Sequence, residues 1–249
     1  MIDPNLFGQP TALDRSQHRG LRLDLDTVRF DRTAALNSLF VTAVEFADVC
    51  REYPIVFVDA GENEQGKREV APVAVLGLAP GENLVWHEGR WGARYVPALL
   101  RSYPVGMARA GEDRFVVVFD AQHAPLSAEQ GAPLFDDNGE PSAALEQRRR
   151  FVEEIEREAQ RTRMVCRRLQ ELDLLQPMRF DATLPDGSSF KVDGFMTINE
   201  ERLRDLKDHQ VLELHRTGLL GLIHAHQISL SLMRVLVEKR VERMAPRPA

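Results

Sequence analysis

The stretch YPIVFVDAGENEQGKREVAPVAVLGL (residues 53–78) places Gly61, Gly66 and Lys67 at the spacing of a phosphate-cradling loop, Gly-x-x-x-x-Gly-Lys. A working loop of that kind needs Ser or Thr after the lysine to hold Mg²⁺. It also needs a helix whose N-terminus faces the phosphates. Here Arg68 follows Lys67, and Glu62 and Glu64 put negative charge where phosphate oxygens would sit. The continuation EVAPVAVLGL carries a proline and a β-branched run, which predicts a strand. The motif reads as a solvated hairpin loop.

The histidines are the next candidates. His224 and His226 stand two apart, His215 lies upstream, and His87 and His123 fall in a strand-rich region. On a strand, positions i and i+2 share a face and could chelate one ion. On a helix they lie about 200° apart and cannot. His226 falls on the stripe Leu219, Leu222, Ile223, Leu230, Met233 and Val237, which predicts a buried, hydrogen-bonded core histidine. His224 turns towards another face with Ile228 and Val235. Asp136, Asp137, Asn138 and Glu140 lack the order of an EF-hand loop and read as an acidic turn. Cys50 and Cys166 have no C-x-x-C spacing and read as a reduced pair, with Cys50 in core packing. No metal and no cofactor is expected.

Several elements must position these residues. Residues 1–20 read as an irregular lead-in and LRLDL (21–25) as a half-buried strand. Thr42 and Glu45 have capping-box spacing at a helix start, with Phe46, Val49 and Cys50 on one face and Tyr53-Pro54 as the stop. Residues 54–120 carry short β-branched runs separated by glycine turns, which predicts an antiparallel sheet with a hairpin turning at Glu88-Gly89. Within it, Pro97 opens a short helix that Tyr103-Pro104 ends, with Leu99 and Leu100 facing the core. A long helix is expected over about 142–173, its buried stripe Phe151, Ile155, Thr162, Val165, Leu169 and Leu172. Arg161, Arg163, Arg167 and Arg168 form either a solvated face or a docking surface for an acidic partner. A second hairpin turns at Pro185-Asp186-Gly187. Asn199 caps a helix burying Leu203 and Leu206, and a last helix spans about 219–240.

The fold class is therefore α+β: an antiparallel sheet with a small second hairpin, packed against a long central helix and C-terminal helices. Residues 21–249 read as a single domain, with a possible internal boundary near 125–142. The 249 residues suffice for a substantial core. A net charge of −6 argues against general nucleic-acid binding, which needs a basic surface. The N-terminus shows no apolar signal region. The longest apolar candidate, 217–237, is interrupted by His224, His226, Gln227 and Arg234, so no membrane span is expected. The expected location is cytoplasmic.

Four ordered blocks, EYPIVF (52–57), LGL-PGENLVW-EGRW-ARYVPALLRSYPV (76–105), PLFDDNGEPS (133–142) and GLLGLIHAHQISL (218–230), resemble the bacterial SapC family. YVPALLRSYP (95–104) is the most specific block, and Val105 stands where an aromatic is expected. The resemblance covers nearly everything from residue 20 to 240. It implies a name taken from an S-layer locus and genes often near TonB-dependent receptors, tryptophan-halogenase-like flavoproteins and cupin-type proteins. It brings no defined activity. Tyr95, Pro97, Arg101, Tyr103 and His226 are the candidate binding residues. Three readings follow. The first is a non-catalytic accessory protein with a protein or peptide partner. The second is an enzyme modifying a peptide or small molecule near His226 and the 95–104 block. The third is a surface-layer-associated structural protein.

Overall fold

The computed structural model describes residues 2–24, 28–63, 65–111, 114–122, 131–183 and 189–244. Glu64, His123 and the Pro185-Asp186-Gly187 turn lie outside them. In chain order the first elements are β1 (Pro10–Ala12), β2 (Arg22–Leu23), β3 (Ser38–Phe40) and α1 (Phe46–Val49). Next come β4 (Ile55–Glu62), β5 (Arg68–Val75), β6 (Trp86–His87), β7 (Arg90–Trp91), α2 (Ala98–Ser102), β8 (Val105–Arg109) and β9 (Phe115–Asp120). The remainder are β10 (Ala132–Pro133), α3 (Ala143–Glu171), β11 (Leu175–Thr183), β12 (Ser189–Ile198), α4 (Glu200–Arg204), α5 (Asp208–Arg216), α6 (Leu219–Ser229) and α7 (Met233–Met244). Helices and antiparallel strands mix as the α+β expectation requires.

The chain forms two compact units: residues 1–33 with 98–159, and residues 34–97 with 160–249. The long helix α3 contributes its first part to the first unit and its remainder to the second. In the first unit, β8 and β9 pair antiparallel and β1 adds to β9 through Pro10↔Asp120. The lead-in is thus partly ordered, with Leu6 and Phe7 buried. Of the strand expected at 21–25, Arg22–Leu23 is a strand, paired with β10, and Leu25 lies outside the described residues. Leu23, Val105, Phe119, Leu134, Leu145 and Val152 form this unit's core.

The second unit holds a five-stranded sheet in the order β11-β12-β4-β5-β3. The β11–β12 hairpin therefore extends this sheet, through Phe195↔Val58 and Met196↔Phe57. Two residues with positive φ, Glu88 (47°) and Gly89 (78°), make the turn joining β6 to β7, the geometry that matches the twist of a tight hairpin. Its core groups Val56, Val73, Val75, Phe195, Met233 and Leu236.

The helices depart from expectation in detail. On α3 the buried stripe is Leu145, Val152, Ile155, Ala159, Thr162, Cys166 and Leu169, so Phe151 and Val165 flank it. Ala159 and Cys166 are small, and an apolar periodicity keyed on large residues passes over them. The helix expected after Asn199 breaks into α4 and α5 at residues 205–207, and Leu203 and Leu206 are only half-buried. Cys50 is half-buried, while Cys166 is buried. The continuous helical run Leu219–Met244, 26 residues, is long and apolar enough by length and composition alone to cross a membrane. In the fold, one stripe of this run (Leu219, Ile223, His226, Ser229, Met233 and Leu236) is buried.

Candidate functional site

His226 sits in the last turn of α6 and is fully buried. Its Nδ1 lies 2.8 Å from the Ile55 carbonyl oxygen, and its Nε2 accepts the Ile198 N–H at 3.2 Å. Nδ1 must therefore carry the proton, and the imidazole is neutral. Burial pushes its pKa down to about 4, against a smaller upward pull from the Ile55 hydrogen bond. The β12–β4 register of Phe195↔Val58 and Met196↔Phe57, continued two residues, sets Ile198 opposite Ile55. The imidazole fills that gap, relaying Ile198 N–H to Ile55 C=O where a direct ladder bond would otherwise form. Ser229, one turn on, accepts the Ile55 N–H at 2.9 Å and donates to the His226 carbonyl at 2.6 Å. Both ring nitrogens are thus committed to holding α6 on the sheet. His224 is exposed, with its Nδ1 3.2 Å from Gln227 Oε1.

The 95–104 block divides between the units. Tyr95 and Pro97 belong to the second, and Arg101 and Tyr103 to the first. Tyr95 donates its hydroxyl to Glu45 Oε1 at 2.8 Å. Glu45 is buried, and its Oε2 accepts the Thr42 N–H and hydroxyl, both at 2.8 Å, the reach-back half of the capping box. The Tyr53 hydroxyl donates to the Tyr95 carbonyl and accepts the Trp91 indole N–H at 2.9 Å. Burial raises the Tyr53 phenol well above its ordinary pKa, so it stays neutral. Glu52 accepts the backbone N–H groups of Arg94 at 2.6 Å and Tyr95 at 2.8 Å. Pro97 is buried beside this network. An open cleft of about 510 Å³ adjoins Tyr95, its wall charges balanced as Asp48 and Glu52 against Arg51 and Arg94.

In the first unit, Arg101 is exposed with its guanidinium 5.2 Å from the centre of the Phe151 ring. The Tyr103 hydroxyl donates to Asp120 Oδ2 at 2.6 Å. Asp120, fully buried, also accepts N–H groups from Gly8, Gln9 and Gln122 at 3.0, 2.9 and 3.1 Å. Burial alone would raise its pKa. The hydrogen bonds outweigh it and hold the carboxylate below its usual range. This network ties the lead-in to the end of β9.

The acidic turn near 136–140 is occupied by arginines where a cation would sit. Arg15 donates to the Asn138 carbonyl at 2.9 Å and pairs with Glu140 at 3.0 Å, and Arg19 donates to the Asp137 carbonyl. The P-loop-like stretch is closed by Asn63, whose Oδ1 accepts the N–H groups of Gln65 and Lys67, both at 3.0 Å. Gly66 N–H goes to the Asn63 carbonyl at 2.9 Å. Three donors that would cradle a phosphate are thus spent on the turn itself, and β5 follows as a strand.

One juxtaposition escaped the sequence reading. The turn between β4 and β5 and the basic face of α3 line one cleft of about 290 Å³, with Lys67 and Arg68 on one side and Arg163 and Arg167 on the other. Each half was visible in sequence, but nothing local pairs residues about a hundred positions apart. Arg168 is excluded from the cleft, because Glu213 on α5 holds its guanidinium in two bonds of 2.8 and 2.6 Å. Arg161 does not line the cleft either. Cys166 lies at its floor, its thiol pushed up to about 12 by burial and therefore protonated.

Among known proteins, the SapC family model matches residues 13–236. No curated protein and no solved structure matches the chain.

Proposed function

The chain belongs to the SapC family, and from that premise we propose that it is a non-catalytic accessory protein that binds a protein or peptide partner. The partner is encoded in a neighbourhood of TonB-dependent receptors or halogenase-like flavoproteins. One observation carries the reading: His226, three tyrosine hydroxyls and Cys166, groups with the chemistry for catalysis, are consumed by the fold. Both nitrogens of His226 hold α6 to the sheet. The hydroxyls of Tyr53, Tyr95 and Tyr103 are donated to the Tyr95 carbonyl, Glu45 and Asp120. Cys166 is buried and protonated. A general base or nucleophile must reach its substrate's reacting atom, and these cannot. The charged surface beside them is open.

Affinity purification of the full chain from its native host, with elemental analysis of the eluate, tests the reading. A stoichiometric partner encoded by a neighbouring gene is expected. About one zinc or iron per chain, lost on His226→Leu while the melting temperature holds, overturns it in favour of an enzyme.

A further inference from the structure

We infer that the cleft between the β4–β5 turn and the second half of α3 is the docking site for an acidic peptide segment of the partner, seating a carboxylate side chain. This rests on the binding-protein reading above. Four cations, Lys67, Arg68, Arg163 and Arg167, face two anions, Glu69 and Glu171. The lining thus carries 4 − 2 = +2 in a chain of net −6. Such a local reversal of sign attracts and orients an acidic segment that the rest of the surface repels.

Lys67, Arg68 and Arg167 keep unused capacity. Lys67 has no hydrogen bond or ion pair to its ammonium among the described residues. Arg167 stands 3.7 Å from Glu69, and Arg68 3.4 Å from Asp59, with side chains 59% and 77% exposed. Charge-assisted hydrogen bonds run to about 2.7–2.9 Å, so these are loose pairs that an incoming carboxylate can enter. Arg168, one position on, shows the contrast with its tight bidentate grip on Glu213.

The frame is rigid. Asn63 ties down the turn, and Gln170 Nε2 donates to the Arg68 carbonyl at 3.2 Å, linking helix to strand. Val70 and Cys166 make a buried, apolar floor, which strengthens any charge pair formed above it. The volume, near the lower end of small-ligand pockets, fits one side chain, so flanking contacts must come from a longer segment. The two glutamates in the lining weaken the field for a dianionic phosphate. Glu69 Oε1 accepts from Asn63 Nδ2 at 3.3 Å and Glu171 Oε2 from Arg168 at 3.0 Å, so each glutamate offers its other oxygen to the N–H groups of a peptide.

The experiment is fluorescence anisotropy of a labelled Glu-Gly repeat peptide titrated with the full chain at low ionic strength. A Lys-Gly repeat peptide and inorganic phosphate are the comparison arms. Saturable binding is expected for the Glu-Gly peptide alone, weakening as salt rises. It should fall about tenfold or more in the Arg163→Glu/Arg167→Glu variant, with its melting temperature unchanged. If that variant fails to fold, Lys67→Glu in the exposed turn must show the same direction of effect. Absence of saturable binding, equal binding by the variants, or displacement by phosphate at equal concentration overturns the inference, the last giving the cleft to a phosphate. Partner capture that persists in the double variant also rejects this site while leaving the accessory-protein reading standing. Failure of the parent chain to capture a partner rejects that reading itself.

Discussion

His226 takes the place of a missing strand-to-strand hydrogen bond. Replacing it with leucine leaves the Ile198 N–H and the Ile55 carbonyl without their partner, so His226→Leu should destabilise the chain by about 1–3 kcal/mol in denaturant unfolding. Its titration makes the loss pH-dependent. The folded pKa is about 4 and the unfolded value 6.5, so between those values only the unfolded chain binds the proton. Stability from this group is present above pH 6.5 and lost as pH falls, by about 1.4 kcal/mol per unit across the window. The stability curves of parent and His226→Leu should therefore converge between pH 6.5 and 4. Parallel curves would show that the imidazole is not held neutral. Tyr103 offers a parallel case in the first unit. Tyr103→Phe removes one donor from a buried carboxylate and should lower stability by about 1.5–3 kcal/mol, the range for bonds to charged groups. Asp120 keeps its three backbone donors, so the fold should survive. An unchanged unfolding midpoint would argue against that assignment.

At the scale of elements, glycines separate strain from space. Gly77 approaches the Glu82 carbonyl so closely that a Cβ would collide with backbone. Gly77→Ala should therefore lower stability by about 1–3 kcal/mol. Gly221, exposed inside α6, has an unexceptional φ, and a Cβ added there would meet nothing within 4 Å. Gly221→Ala should raise stability by about 0.5–1 kcal/mol, because alanine restricts the unfolded chain and favours helix. Opposite signs in thermal unfolding check the pair. The β4–β5 turn is expected to be indifferent: Lys67→Ala should stay within about 0.5 kcal/mol of the parent, as its ammonium makes no hydrogen bond or ion pair among the described residues. Much at this scale was legible in sequence. The Glu88-Gly89 turn, the Thr42–Glu45 reach-back, the Asn199 cap and the placement of His226 all depend on residues within a few positions of one another. The break between α4 and α5 was not legible, because Asp205, Leu206 and Lys207 carry no proline or glycine to announce it.

For the whole molecule, charge sets an outer limit on partners. With −6 overall and +2 in the lining of the cleft, the chain should not retard duplex DNA in a gel at about 0.15 M salt, since too few phosphates could be neutralised. Retardation at that salt would point to a larger basic surface. What the sequence alone determined was element type: period-two and helical patterns, turn residues and caps are short-range, and they delivered an α+β chain with antiparallel strands. What only the tertiary structure decided was partnership. FVVVFD (115–120) reads like IVFVD (55–59), yet it pairs with β8 and β1 while IVFVD pairs with β5 and β12. The β11–β12 hairpin could have stood apart, but Phe195 and Met196 join it to β4. Lys67 meets the face of Arg163 and Arg167 only because β5 and the second half of α3 share a unit. Strand pairing and helix docking are selected by burial of whole faces against distant segments, and that preference leaves no mark on any one stretch of residues.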